Sequence, residues 1–151
     1  MLKITTAVAE VMSAALKAGS GDWEMAIYKG TVPANAADNT SGATKQVTIT
    51  ESGGATGLTL EKDSDGVLRK ATGETWKGTS GSGIAGAPTF FRLYKQGEDP
   101  DSASSSLVRI QGLCGDSPYT ADLVFPSNNI PDSTEIPIAT FKLTVPIVGC
   151  S

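Results

Sequence analysis

"GTSGSGIAGAP" (residues 78–88) is the stretch on which the fold class turns. Inside it, Gly81-Ser82-Gly83-Ile84-Ala85-Gly86 spells the G-x-G-x-x-G fingerprint of a dinucleotide loop. That loop works only where a buried strand delivers the first glycine and a helix begins at the last, so that free N–H groups face a pyrophosphate. Neither neighbour fits. Upstream lies the polar "GETWKGTS", and downstream Pro88 and the aromatic "TFF" exclude a helix start. The acid that follows, Asp101, sits in the loop-like "GEDPD" rather than at a strand end. The glycine run therefore reads as a flexible lead-in to a strand, and the chain as all-β rather than α/β.

The flanking sequence agrees. Trp23, Met25 and Ile27 alternate with Glu24, Ala26 and Tyr28 in a strand that ends at Gly30, ahead of Pro33. The polar "ANAADNTSGAT" follows as a loop, and "KQVTITE" (45–51) reads as a strand with one wet face. "GLTLEK" and "GVLRK" flank Asp63-Ser64-Asp65-Gly66 as a hairpin. "TFFRLYK" (89–95), "SLVRIQGL" (106–113), "ADLVF" (121–125) and "ATFKLTV" (139–145) are further strands. Short strands at this spacing predict an antiparallel β-sandwich, jelly-roll-like or Ig-like.

One helix is predicted, at the N-terminus. In "ITTAVAEVMSAALKAGSG", Thr5 or Thr6 supplies a cap and Gly19 stands where a C′ residue belongs. Ile4, Val8, Val11, Met12, Ala15 and Leu16 form one apolar stripe opposite Glu10 and Lys17. That stripe suits either packing on the domain's own sheet or docking on a neighbouring subunit. The expected organisation is a helix or anchor segment over residues 1–20 and a single β domain over 21–151.

Composition narrows function. The 151 residues suffice for one cored domain, and 39% hydrophobic with 19% charged residues is a globular balance. A net charge of −4 argues against binding nucleic acid through its phosphates. No window is long and apolar enough for a membrane span, and the first residues lack a signal-peptide pattern; synthesis in the cytoplasm is the default. Histidine is absent, which removes Ser-His-Asp and Cys-His catalysis and most histidine-based metal sites. Cys114 and Cys150 have no zinc-ligand spacing; two reduced thiols are expected, with one disulfide as the alternative.

The remaining candidates each have a plainer reading. Glu61, Asp63, Asp65 and Gly66 imitate the start of an EF-hand loop, but the closing acid would be residue 72, a threonine. Glu98, Asp99 and Asp101 read as a solvated loop beside Pro100 rather than a carboxylate pair for glycoside hydrolysis. Ser80 and Ser82 fail the G-x-S-x-G nucleophile pattern and read as turn residues. Trp23, Trp76, Tyr28, Tyr94 and Tyr119 are candidates for an aromatic sugar platform, Trp76 foremost because it adjoins the glycine run; core packing is the ordinary fate of such residues. No catalytic constellation emerges, so no enzyme activity and no cofactor or metal is expected.

Three stretches carry a resemblance. "AALKAGSGDWEMAIYKGTVPA" joins the helix to the first strand, "GAPTFFRLYKQGEDP" pairs an aromatic-Arg-Leu strand with an acidic turn, and "TADLVFPSNNIPDSTEIPIATFKLTVP" closes the chain with an Asn-rich loop and a last alternating strand. Together they resemble a family of small head and tail structural proteins of tailed bacteriophages and prophages, over a framework from about residue 5 to residue 146. The resemblance implies a β-sandwich virion component on the capsid surface. Its foremost role would be capsid decoration (cement), with the major capsid protein and copies of itself, as dimer or trimer, for partners. A tail or neck component is the alternative, and a carbohydrate-binding adhesion module on the same sandwich is the competing reading. Residues expected at partner contacts are Ile4, Val8, Val11, Met12 and Leu16 in the N-terminal segment and Val145, Ile147 and Val148 in the tail "PIVGCS".

Overall fold

The computed structural model describes residues 21–64 and 67–144. Every regular element among them is a strand: β1 (Trp23–Gly30), β2 (Ala43–Glu51), β3 (Leu60–Ser64), β4 (Val67–Lys70), β5 (Trp76–Thr79), β6 (Phe90–Lys95), β7 (Arg109–Gly115), β8 (Leu123–Val124), β9 (Glu135–Ile138) and β10 (Lys142–Thr144). The all-β expectation is met. The predicted N-terminal helix lies outside the described residues.

Seven strands form one sheet in the order β8-β7-β6-β1-β2-β5-β9, and three form a second, β10-β4-β3. Pairing is antiparallel throughout except for the short β7–β8 contact. β3 and β4 pair antiparallel as expected, with Leu60 opposite Lys70, Ser64 opposite Val67 and a register shift between Lys62 and Ser64. Glu61 and Asp63 are taken up by ion pairs, Arg69 Nη2 to Glu61 Oε1 at 2.7 Å and Lys142 Nζ to Asp63 Oδ2 at 2.8 Å. The EF-hand imitation is thus a charged hairpin face.

One hydrophobic cluster draws on both sheets. Trp23, Met25 and Ile27 of β1, Val47 and Ile49 of β2, Phe91 and Leu93 of β6, and Leu60 and Leu68 of the smaller sheet all belong to it. The alternation read from the sequence puts these residues on one face, and burying them supplies the main driving force for folding. Trp76 and Phe141 pack against each other with ring centroids 5.6 Å apart, and Phe91 meets Phe141 edge-on at 5.8 Å.

Two strands escaped sequence reading. β5 is only four residues and contains Gly78, while β9 contains Pro137; both features argue against a strand on pattern alone. The structure gives each its reason. A Cβ on Gly78 would stand 2.0 Å from the carbonyl oxygen of Thr48, so only glycine lets β5 approach β2 there. Pro137 sits in β9, the edge strand, where a missing N–H is tolerated. Strand ends also move: β7 starts at Arg109 rather than 106, because the preceding serine-rich segment forms a loop.

Gly78→Ala is expected to lower the unfolding free energy by about 1–3 kcal/mol, the usual cost of forcing extra volume into a packed site. A urea titration with an unchanged m-value and a lower midpoint would bear this out; an unchanged midpoint would show that β2 and β5 separate freely.

Candidate functional site

Of the large sheet's strands, sequence gives only residues 45–51 one wet face, and the face turned away from the main core is not open to water at β1 and β6. Ala26 and Tyr28 of β1 and Phe90 and Tyr94 of β6 are buried there as a second apolar cluster. Tyr28 and Phe90 stack with ring centroids 4.6 Å apart and planes 4° from parallel. Two connections cover them, residues 31–42 after β1 and 96–108 after β6, and a single buried arginine ties both down.

Arg92 is fully buried in the middle of β6. Its Nη1 donates to the carbonyl of Pro100 at 2.7 Å, its Nη2 to the carbonyls of Asp38 at 2.8 Å and Asn35 at 3.4 Å, and its Nε to Gln111 Oε1 at 3.1 Å. Gln111 in turn donates to the carbonyl of Pro33 at 2.9 Å. A guanidinium can be buried only with its donors satisfied. Here main-chain carbonyls of two loops do most of that.

Asp101 is the second pin. Its Oδ1 accepts from Tyr28 Oη at 2.8 Å and Thr40 Oγ1 at 3.1 Å, and its Oδ2 from Lys45 Nζ at 2.9 Å. Partial burial works to raise the proton affinity of this carboxyl. Its bonds to Lys45, Tyr28 and Thr40 outweigh that and hold it below the ordinary carboxylate value. The tyrosine responds oppositely: burial, then the bond to Asp101, pushes the Tyr28 phenol far above its usual range. The acidic turn is therefore a structural latch, not the solvated loop the sequence suggested.

The glycine run resolves in a third way. Asp132 Oδ1 accepts from the main-chain N–H of Ile84 at 2.7 Å and of Ala85 at 2.6 Å. Desolvation works to raise the proton affinity of Asp132, but these bonds from main-chain amides outweigh it and keep the carboxyl below its ordinary value. Gly83 adopts φ +73°, the left-handed conformation that lets successive N–H groups converge on one anion. The match to a phosphate-binding fingerprint reflects real anion binding by backbone amides, but the anion is the chain's own carboxylate. Ser80, expected in a turn, is buried beside it and accepts from Thr134 N at 2.9 Å.

Trp76 is fully buried and its Nε1 donates to Glu74 Oε2 at 2.7 Å, so it offers no face to a sugar. This corrects its reading as a surface aromatic: the adjoining glycine loop is tied down rather than open, and the ring fills the core. Trp23, Tyr28 and Tyr94 are buried too, and of the five aromatics considered only Tyr119 is exposed. Cys114 is a half-buried free thiol, its pKa pushed up to about 12 by burial and the nearby Asp122 charge. Cys150 and the predicted partner contacts Ile4, Val8, Val11, Met12, Leu16, Val145, Ile147 and Val148 lie outside the described residues. Among the described residues no group of three His, Cys, Asp or Glu side chains is arranged to hold a metal.

Among the described residues the exposed large hydrophobics are Val32 (36%), Val108 (49%), Leu113 (44%), Tyr119 (95%) and Val124 (39%). Register places Leu113 opposite Phe90, and Val124 of β8 beside Gly115 at the same end of β7. The bond from Gln111 to Pro33 carries the Val32 segment over that strand. An open polar groove of about 480 Å³ lies elsewhere, along β2 and β5, with Thr48, Thr50, Gly53 and Thr79 in its wall and Lys45 already engaged by Asp101. No known family model matches this chain, and neither curated proteins nor solved structures include a significant match.

Two outcomes test the pinned face. Arg92→Ala strips four acceptors of their donor and is expected to cost about 3 kcal/mol, as loss of one member of a buried polar set does; chemical denaturation measures it, and amide exchange should quicken first in residues 33–40 and 98–104. Asp101 has a lowered folded-state pKa, so its contribution is complete above the unfolded value of about 3.9 and fades as pH falls through the folded value. Asp101→Asn should therefore flatten the acid limb of the stability–pH curve while lowering the plateau at neutral pH.

Proposed function

We propose that this chain is a virion structural protein of the tailed-phage type, a β-sandwich that decorates the capsid by binding the major capsid protein and further copies of itself. The observation that carries this reading is the pair of exposed apolar residues Leu113 and Val124 at one end of β7, on a framework whose loops are otherwise fastened to their own sheet. Isolated exposed apolar residues need no explanation, but a pair gathered at one end of a strand suits a contact with another protein. The resemblance carried by the three quoted stretches supports the same role.

The physics fits a mechanical task. Two sheets share one core, and the long loops are held by buried hydrogen bonds, so the chain suits contact as a rigid body. Small contacts repeated over many copies suffice to brace a shell, because multivalency multiplies weak affinities. A net charge of −4 keeps such a surface off stray nucleic acid. The sugar-binding alternative has lost its stacking platform with the burial of Trp76.

Co-sedimentation of the purified protein with mature, DNA-free heads and, separately, with tails is the test. Saturable binding to expanded heads alone is the expected result, weakened at least tenfold by Leu113→Asp with Val124→Asp while circular dichroism stays unchanged. Binding to tails alone would reassign the protein to the tail or neck. Binding to neither would overturn the virion reading.

A further inference from the structure

We propose that the loop of residues 83–85, together with Lys29, is an oxyanion-binding site of the carboxylate or phosphate class that Asp132 occupies as a built-in competitor. The inference does not rest on the virion role.

The site is built rather than incidental. Two amides reach one oxygen of Asp132, at 2.7 and 2.6 Å, as short as charge-assisted bonds are. Lys29 Nζ donates to the carbonyl of Ala85 at 2.9 Å, placing a cation at the rim, where its charge favours the ionised carboxylate. The loop is braced from behind. Gln46 Nε2 donates to the carbonyls of Ile84 and Gly86, each at 3.0 Å, and Gly86 exchanges main-chain bonds with Ile130. The amides are thus fixed in a converging arrangement, the preorganisation that an anion nest needs.

The occupant, by contrast, is held at an exposed position, and nothing stands within 4 Å above Gly83 where a side chain would begin. A tethered carboxylate competes at high effective concentration, so a free anion enters only when Asp132 is removed or swings away. Displacement would release only the side chain of residue 132: Ser133 N still donates to Gly81 O, Ser80 still bonds Pro131 and Thr134, and Gly86 still exchanges main-chain bonds with Ile130, so the two segments stay joined.

The experiment follows the amides of Gly83, Ile84 and Ala85 by two-dimensional nitrogen–proton NMR of the full chain as phosphate is added, and acetate in a second arm. With Asp132→Ser, phosphate is expected to shift these amides saturably, at least tenfold more tightly than in the wild type. Adding Lys29→Met should weaken that binding several-fold. A matching response to acetate would mark a carboxylate as sufficient; a response to phosphate alone would mark a phosphorylated ligand, and both uphold the site. Shifts that are absent, unsaturable, as strong in the wild type, or insensitive to Lys29→Met would mean an adventitious ion only and overturn it. Should Asp132→Ser fail to fold, Asp132→Asn keeps the side-chain shape without the charge. Phosphate should then bind more tightly than to the wild type, and wild-type behaviour would likewise overturn the proposal.

Discussion

The burial of one guanidinium organises half of this molecule. Arg92 interrupts the otherwise apolar run of β6, on the face away from the main core, and cannot be left there with free donors. Water is excluded from that face only because residues 31–42 and 96–108 close over it, and they can close only because their carbonyls satisfy the guanidinium. Cause and consequence are reciprocal: the loops bury the charge, and the charge orders the loops. The Tyr28–Phe90 stack beneath them is a beneficiary, since without the loops both rings would face solvent. Asp101 reinforces the closure from the side, with a negative charge balanced by Lys45.

The all-β character was legible because it depends on periodicity, which local sequence displays directly. Trp23, Met25 and Ile27 announce a core face wherever they occur in alternation, and they form one. The second buried face was not legible, since its burial depends on how two loops fold back across both strands: Arg92 of β6 reaches Asp38, 54 residues away, and Tyr28 of β1 reaches Asp101, 73 residues away. A hint did exist: Arg92 lies between Phe90 and Tyr94 on the same side of β6, and a charge flanked by aromatics on one face implies that something polar must come to meet it. Strands β5 and β9 were hidden for another reason. Gly78 and Pro137 look like strand breakers in isolation, and only the close approach of β2 and the edge position of β9 turn them into requirements.

The glycine fingerprint shows how a motif can be wrong about its ligand and right about its physics. Glycines at alternating places free the backbone to present consecutive amides to a single negative charge, in any fold. In a nucleotide-binding fold a helix follows and adds its dipole, which makes the site fit for pyrophosphate. Here β6 follows, and the amides instead meet a carboxylate delivered from residue 132. A motif defined by spacing specifies the donor array; the elements around it select the anion.

How such a molecule contacts others is constrained by its edges. An exposed strand edge invites pairing with another chain, and folded proteins blunt that tendency by shortening, bulging or interrupting the edge. Three of the four edges here carry one of these features. β8 has two residues, β9 carries Pro137, and β3 is irregular between Lys62 and Ser64. Open-ended strand addition is thereby disfavoured at both edges of the large sheet and at β3. The association proposed above would instead use side-chain surfaces, where geometry limits how many copies join and in what orientation. Leu113 and Val124 offer such a surface: Val124 lies on the shortest edge strand and Leu113 on its neighbour, so a protein docked there would cover side chains without extending the sheet.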